Sequence, residues 1–182
     1  DSTSNVRGNA NLVATGGTIT TSGNCKIHTF TSPGTFTVTN AAICAANNIV
    51  SYLVLAGGGS GGGSLGSYYG AGGGGAGGYR ELKSPVTPYT ASPLDGYSTP
   101  GNRITVTAQG YPITVGAGGA TAGTSNQGNS GSVSTFSTIT SAGGGGGGRG
   151  DGTPSRPPTA TIQGAAGGSG GGGGSGYCEG AG

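Results

Sequence analysis

The stretch IVSYLVLAGGGSGGG, residues 49–63, governs how the rest of the chain is read. Its first eight residues, 49–56, form a nearly continuous apolar run of strand length, the pattern of a strand covered on both faces. They are expected to form the central buried strand. The next tract, 57–63, has almost no side chains, and similar tracts return at 72–78, 143–148 and 167–174. Such tracts are usually flexible linkers. Here each comes after a strand or a short turn, and glycine also lets extended three-fold helices pack closely. Packed glycine helices are therefore expected.

Composition points the same way. Glycine supplies 47 of 182 residues, hydrophobic residues 31% and charged residues only 7%, with neither Trp nor Met. Ordering so much glycine is entropically costly. A disordered chain, however, is normally held open by net charge, and this one carries +2. The reading is a folded, glycine-dense, all-β protein.

Upstream of this stretch, residues 26–31 and 35–39 flank Ser32-Pro33-Gly34 and are expected to pair as a hairpin, with Phe36 and Val38 on one face. Residues 40–48 make a short helical turn or a loop. Further strands are expected at 103–107, 111–115 and 133–140, the second at an edge or a strand start because of Pro112. At the N-terminal side, residues 1–22 alternate with a period of two. Val6, Ala10, Leu12 and Ala14 fall on one side and Asn5, Arg7, Asn9 and Asn11 on the other, as in a half-buried strand. Gly16-Gly17 then breaks the pattern, and 18–21 is a further β segment ahead of a turn at Ser22-Gly23-Asn24. The domain boundary is placed after residue 22, leaving an arm at 1–22 and a glycine-rich domain at 23–182.

The seven cations, Arg7, Lys26, Arg80, Lys83, Arg103, Arg149 and Arg156, are scattered, which disfavours nucleic acid because counterion displacement needs clustered charge. No run of 18 apolar residues and no basic, signal-like start is present, so no membrane span is expected and the chain reads as mature from Asp1. His28 is the only histidine, and neither HExxH nor CxxC spacing occurs. No metal, cofactor or catalytic residue is assigned. GxSxG matches around Ser60, Ser64 and Ser169 are what a Gly/Ser-rich chain produces by chance, and no helix comes after them to make an elbow. Arg149-Gly150-Asp151 spells an integrin tripeptide and reads as a chance turn on an exposed, glycine-flanked loop.

Three cysteines occur, at 25, 44 and 178. Cys25 and Cys44 flank the expected hairpin, and a bridge between them would contribute about 3 kcal/mol in the loop-entropy model. The alternative is two small buried thiols. A bridge would imply an oxidising, extracellular location. Tyr68, Tyr69, Tyr89 and Tyr97 cluster around the glycine tracts and the Pro-rich loop 84–101, a composition that suits adaptable recognition of a cell-surface glycan or protein. The plainer reading is that these rings cover glycine backbone.

The segments HTFTSPGTFTVT (28–39), YLVLAGGGSGGG (52–63), GGGGAGGYRE (72–81), YPITVGAGG (111–119) and FSTITSAGGGGGG (136–148) resemble the glycine-rich domain of phage tail-fibre and bacterial surface proteins. The resemblance implies an immunoglobulin-like or other β-sandwich domain with its glycine tracts packed against it, in an extracellular fibre or adhesin without enzymatic activity. The arm lies outside the resemblance and looks like the donor strands of pilus subunits. Two functions are implied. In the first the chain is a structural subunit that homopolymerises by adding its arm as a strand to another copy, the alternative being that the arm folds back as an ordinary edge strand of its own domain. Such an asymmetric contact does not close on itself and yields a filament. In the second it is the receptor-binding tip of a phage tail fibre, presenting its tyrosine loops.

Overall fold

The computed structural model describes residues 11–64, 69–124, 126–151 and 162–176. The protein is all-β and of the β-sandwich-like class, and its described residues contain no α-helix. Among the described residues there are nine strands: β1 (Val13–Thr15), β2 (Thr18–Ser22), β3 (Cys25–Thr29), β4 (Gly34–Asn40), β5 (Tyr52–Leu55), β6 (Tyr79–Leu82), β7 (Gly110–Thr114), β8 (Ser134–Phe136) and β9 (Ile139–Ser141). They form a five-stranded sheet in the order β1-β4-β7-β8-β9 and two ribbons, β2-β3 and β5-β6. The chain divides into two compact units. One comprises Asp1–Leu53, Arg80–Thr114 and Phe136–Ile139; the other comprises Val54–Tyr79, Val115–Thr135 and Thr140–Gly182.

The first unit has a side-chain core. Phe36 and Val38 alternate inward on β4 as expected, and both are buried. Phe36 lies edge-on to His28, with ring centres 5.0 Å apart, and to Phe136 at 6.0 Å, while Tyr52 and Tyr111 also pack on Phe136. Such tilted contacts suit the aromatic quadrupole. Burial by itself would raise the Tyr111 phenol. Hydrogen bonds with Thr107 and Gln109 nevertheless hold it below its usual value. Asn48, buried in the 3-10 turn Ala45–Asn48, exchanges hydrogen bonds with the Ala42 backbone at both amide ends.

Four of the expected strand features differ in the structure. The segments 26–31 and 35–39 do not pair with one another: β3 pairs with β2, while β4 pairs with β1 and β7. The two-residue connection at Gly23-Asn24 closes the β2-β3 ribbon, with Gly23 at φ 55° supplying the left-handed turn. Pro112 lies in β7, the middle strand of the five, where its carbonyl accepts from the Ser137 N–H at 3.3 Å. Residues 49–56 are not a central buried strand. Only 52–55 are in β5, and its alternation buries Val54 while Leu53 and Leu55 remain 55% exposed. The central place that the apolar run suggested is taken by β7. Of the expected strand at 103–107, only an isolated bridge between Thr105 and Ile49 is present, with Ile104 and Val106 buried.

The second unit is organised by glycine backbone, and its tracts are ordered. Its hydrogen bonds recur every third residue. The N–H groups of Gly144, Gly147 and Gly150 donate to the carbonyls of Gly57, Ser60 and Gly63, in parallel. Those of Gly145, Gly148 and Asp151 donate to Ser169, Gly172 and Ser175, also in parallel. From the opposite direction, Gly78, Gly75 and Gly72 donate to Ala142, Gly145 and Gly148, while Gly131 and Gly128 donate to Gly144 and Gly147. A period of three is the repeat of the extended polyproline II helix, in which successive peptide groups turn by a third of a circle. Each helix can thus bond neighbours on several sides. A flat β-strand has only two such edges.

The tract 142–151 is the middle of this lattice, and residues 144–151 are all buried. A methyl group built at Gly144, Gly145, Gly146, Gly147 or Gly148 would meet a backbone oxygen of a neighbouring tract at under 3.0 Å. This core is therefore made of peptide groups, and it requires the absence of side chains.

Candidate assembly edge and recognition loop

The arm supplies the outer strand of the five-stranded sheet. In β1, Val13 lies opposite Asn40, Ala14 opposite Val38 and Thr15 opposite Thr37, with an irregularity between Val13 and Ala14. The Thr39 hydroxyl donates to the Val13 carbonyl at 3.3 Å. Leu12 and Ala14 are half-buried, whereas Val6 and Ala10 lie outside the described residues. The strand ends at Gly16 and Gly17, with φ of 106° and 63°. Both are left-handed or beyond, and a side chain at either would also crowd the Thr35 or Thr29 carbonyl and the Phe30 ring. The His28 Nδ1–H donates to the Gly16 carbonyl at 2.8 Å, fixing the turn from β1 into β2. The lone histidine is thus a structural tie.

Cys25, half-buried in β3, and Cys44, exposed just before the 3-10 turn, are both free. The bridge expected between them depended on β3 and β4 forming a hairpin. Because those strands join different sheets, that juxtaposition does not arise.

The segment after β6 is long, lacks strands and is firmly tied. The Asp95 carboxylate accepts from the Lys83 N–H at 2.9 Å and from the Tyr97 N–H at 3.1 Å. The buried Glu81 carboxylate accepts from the Ser92 N–H, and the Glu81 carbonyl accepts from the Gly96 N–H. The Ser51 and Thr87 hydroxyls bond each other at 2.6 Å, and the Tyr52 hydroxyl donates to the Asn102 carbonyl at 2.8 Å. Burial raises the Tyr52 phenol above its usual value; Arg80 opposes this and Asp95 adds to it. Charge-assisted bonds to backbone N–H groups are among the stronger ties available to a loop.

On this frame Val86, Tyr89 and Leu94 are exposed. Lys83 sits over the Tyr89 ring at 5.9 Å, and the Arg103 guanidinium over the Tyr97 ring at 4.4 Å. Of the tyrosines singled out from sequence, Tyr89 and Tyr97 belong to the first unit, Tyr69 belongs to the second, and Tyr68 lies outside the described residues. The sequence carries no signal for Glu81 and Asp95. Their spacing of 14 resembles no motif, and only the loop's return course brings them together as an isolated bridge.

Arg149 and Asp151 are also misread from sequence. They are buried inside the glycine lattice and bound to each other through Nη2 and Oδ2 at 2.5 Å. The tripeptide is therefore not on an exposed loop. Among the described residues no group of three His, Cys, Asp or Glu is placed to hold a metal ion, and no helix is long and apolar enough to cross a membrane.

A family model described as a glycine-rich domain matches residues 31–182. The match takes in both the tied loop and the glycine lattice, and it begins after β3, so that β1, β2 and β3 precede it. No curated protein and no solved structure matches the chain.

Proposed function

The chain belongs to the glycine-rich domain family, and from that premise we propose that it is a non-enzymatic structural subunit of an extracellular, pilus-like homopolymer, assembled by N-terminal strand addition. The observation that carries this reading is the position of β1. It occupies the outer edge of β4, the first strand within the family match, yet it lies outside that match and is joined to β2 through Gly16-Gly17. A strand added to an edge contributes main-chain hydrogen bonds along its length and side-chain pockets at alternate positions. The alternation of Val6, Ala10, Leu12 and Ala14 meets that requirement. Low charge and a backbone-bonded lattice suit a building element. Negative-stain electron microscopy of the chain with and without residues 1–15 tests the reading. Fibres are expected only with the arm; equal assembly after its deletion overturns strand addition.

A second reading, the receptor-binding tip of a phage tail fibre, is favoured by the tied loop with exposed Val86, Tyr89 and Leu94. Ordered loops that expose aromatic side chains are typical recognition surfaces. In that case replacing Tyr68, Tyr69, Tyr89 and Tyr97 together by Ala removes adhesion to bacterial surfaces while circular dichroism stays unchanged. Retained adhesion excludes those loops.

A further inference from the structure

We infer that the outer edge of β4 is the acceptor site for a second copy, and that β1 closes this site within its own chain until it is exchanged. This rests on the fibril reading and adds to it the receiving surface and a latch.

The edge in question runs along Thr37, Val38 and Asn40, opposite Thr15, Ala14 and Val13. The other side of β4 is occupied by β7 through Gly34, Thr35, Phe36 and Thr37, so β4 has one edge to offer. Without β1 that edge would present unpaired N–H and C=O groups beside the buried Val38, the kind of edge that recruits another strand. The occupant that fits is the same three-residue segment from another copy. Its hydrogen-bond register and the half-buried Ala14 position are already matched to this edge.

Two further observations favour exchange over permanent closure. First, β1 is only three residues long and its register breaks between Val13 and Ala14, so few bonds hold it. Second, two glycines at positive φ come immediately after it, where the chain can re-route once the single His28 bond to the Gly16 carbonyl is released. A swapped element makes the same contacts in trans as in cis, so exchange costs little. Because one copy gives β1 to the next, the pattern propagates.

The experiment uses the full chain with Cys25, Cys44 and Cys178 changed to Ser and with Thr15→Cys/Thr37→Cys introduced at an opposed pair. Ala14→Cys/Val38→Cys serves as a second, more buried pair. In soluble monomer the pair is expected to oxidise within one chain, to block fibre formation, and to release it again on addition of a reductant. In fibres grown reduced and then oxidised, the bond is expected between chains, giving a ladder on a non-reducing gel. The inference is overturned if neither pair closes in the monomer, if the oxidised monomer assembles as well as the reduced one, or if oxidised fibres contain only intrachain bonds. In those cases fibres still form and the fibril reading stands on another interface. If the unsubstituted chain forms no fibres at all, the fibril reading fails and the exchange falls with it.

Discussion

At Gly146 the cost of a single methyl group shows what holds the second unit together. A Cβ there would run into the Gly128 carbonyl, and the neighbours are backbone, which cannot rotate aside. Gly146→Ala is therefore expected to destabilise by about 3 kcal/mol, at the upper end of ordinary overpacking. Gly73 provides the opposite case. It is exposed, has nothing within 4 Å of an added Cβ and is not at positive φ. Gly73→Ala should stabilise by about 0.4–1 kcal/mol, by reducing the freedom of the unfolded chain. Denaturant titration of the two variants checks both signs. The tract that carries Gly146 also holds the buried Arg149–Asp151 pair. Placing two charges in a glycine lattice is costly unless they meet, and they neutralise each other at one of the few positions in the tract that carry side chains.

Among the elements, the loop between β6 and the 3-10 turn Pro100–Asn102 is tied at both ends of its exposed stretch by the Asp95 carboxylate. Asp95 accepts two backbone N–H groups, at Lys83 and Tyr97, that lie on either side of the exposed stretch. Asp95→Ala leaves those donors without their acceptor, at about 1.5–3 kcal/mol for hydrogen bonds to a charged group. The expected outcome is faster hydrogen exchange at Lys83 and Tyr97 and earlier proteolysis within residues 84–94, with the β4-β7 amides unchanged. Equal loss of protection in β4 would show that the loop and the sheet unfold together. The ribbon β2-β3 is the other element whose local chemistry is plain. Its turn needs Gly23 at positive φ, and its register is set by Ser22 lying opposite Cys25.

For the whole molecule, the contrast between a side-chain core and a peptide core has a calorimetric consequence. Unfolding normally raises heat capacity by about 12–15 cal/mol/K per residue, because exposed apolar surface outweighs exposed polar surface. The second unit buries mainly peptide groups, whose exposure lowers heat capacity. The whole chain is accordingly expected to fall clearly below about 12 cal/mol/K per residue, measured by scanning calorimetry across several pH values. A value within the ordinary range would mean that the lattice contributes little to the cooperative fold.

By itself the sequence determined the all-β class, the alternation that buries Phe36 and Val38, the turn at Gly23 and the choice of packed glycine helices over linkers. These are legible because each rests on a short-range period: two for a strand, or three for a glycine helix whose neighbours must come close. Tertiary structure alone decided which strands became neighbours. Cys25 and Cys44 stayed free because β3 turned to β2 and β4 to β1 and β7; Leu53 and Leu55 stayed exposed in β5, which pairs with β6 in a two-stranded ribbon; Glu81 met Asp95 through the return of a loop. The same holds for Arg149 and Asp151, which a glycine-flanked tripeptide suggests are exposed and which the surrounding tracts bury. Periodicity reports which face of a segment is covered, whereas the partner that covers it is selected by the free energy of the whole chain.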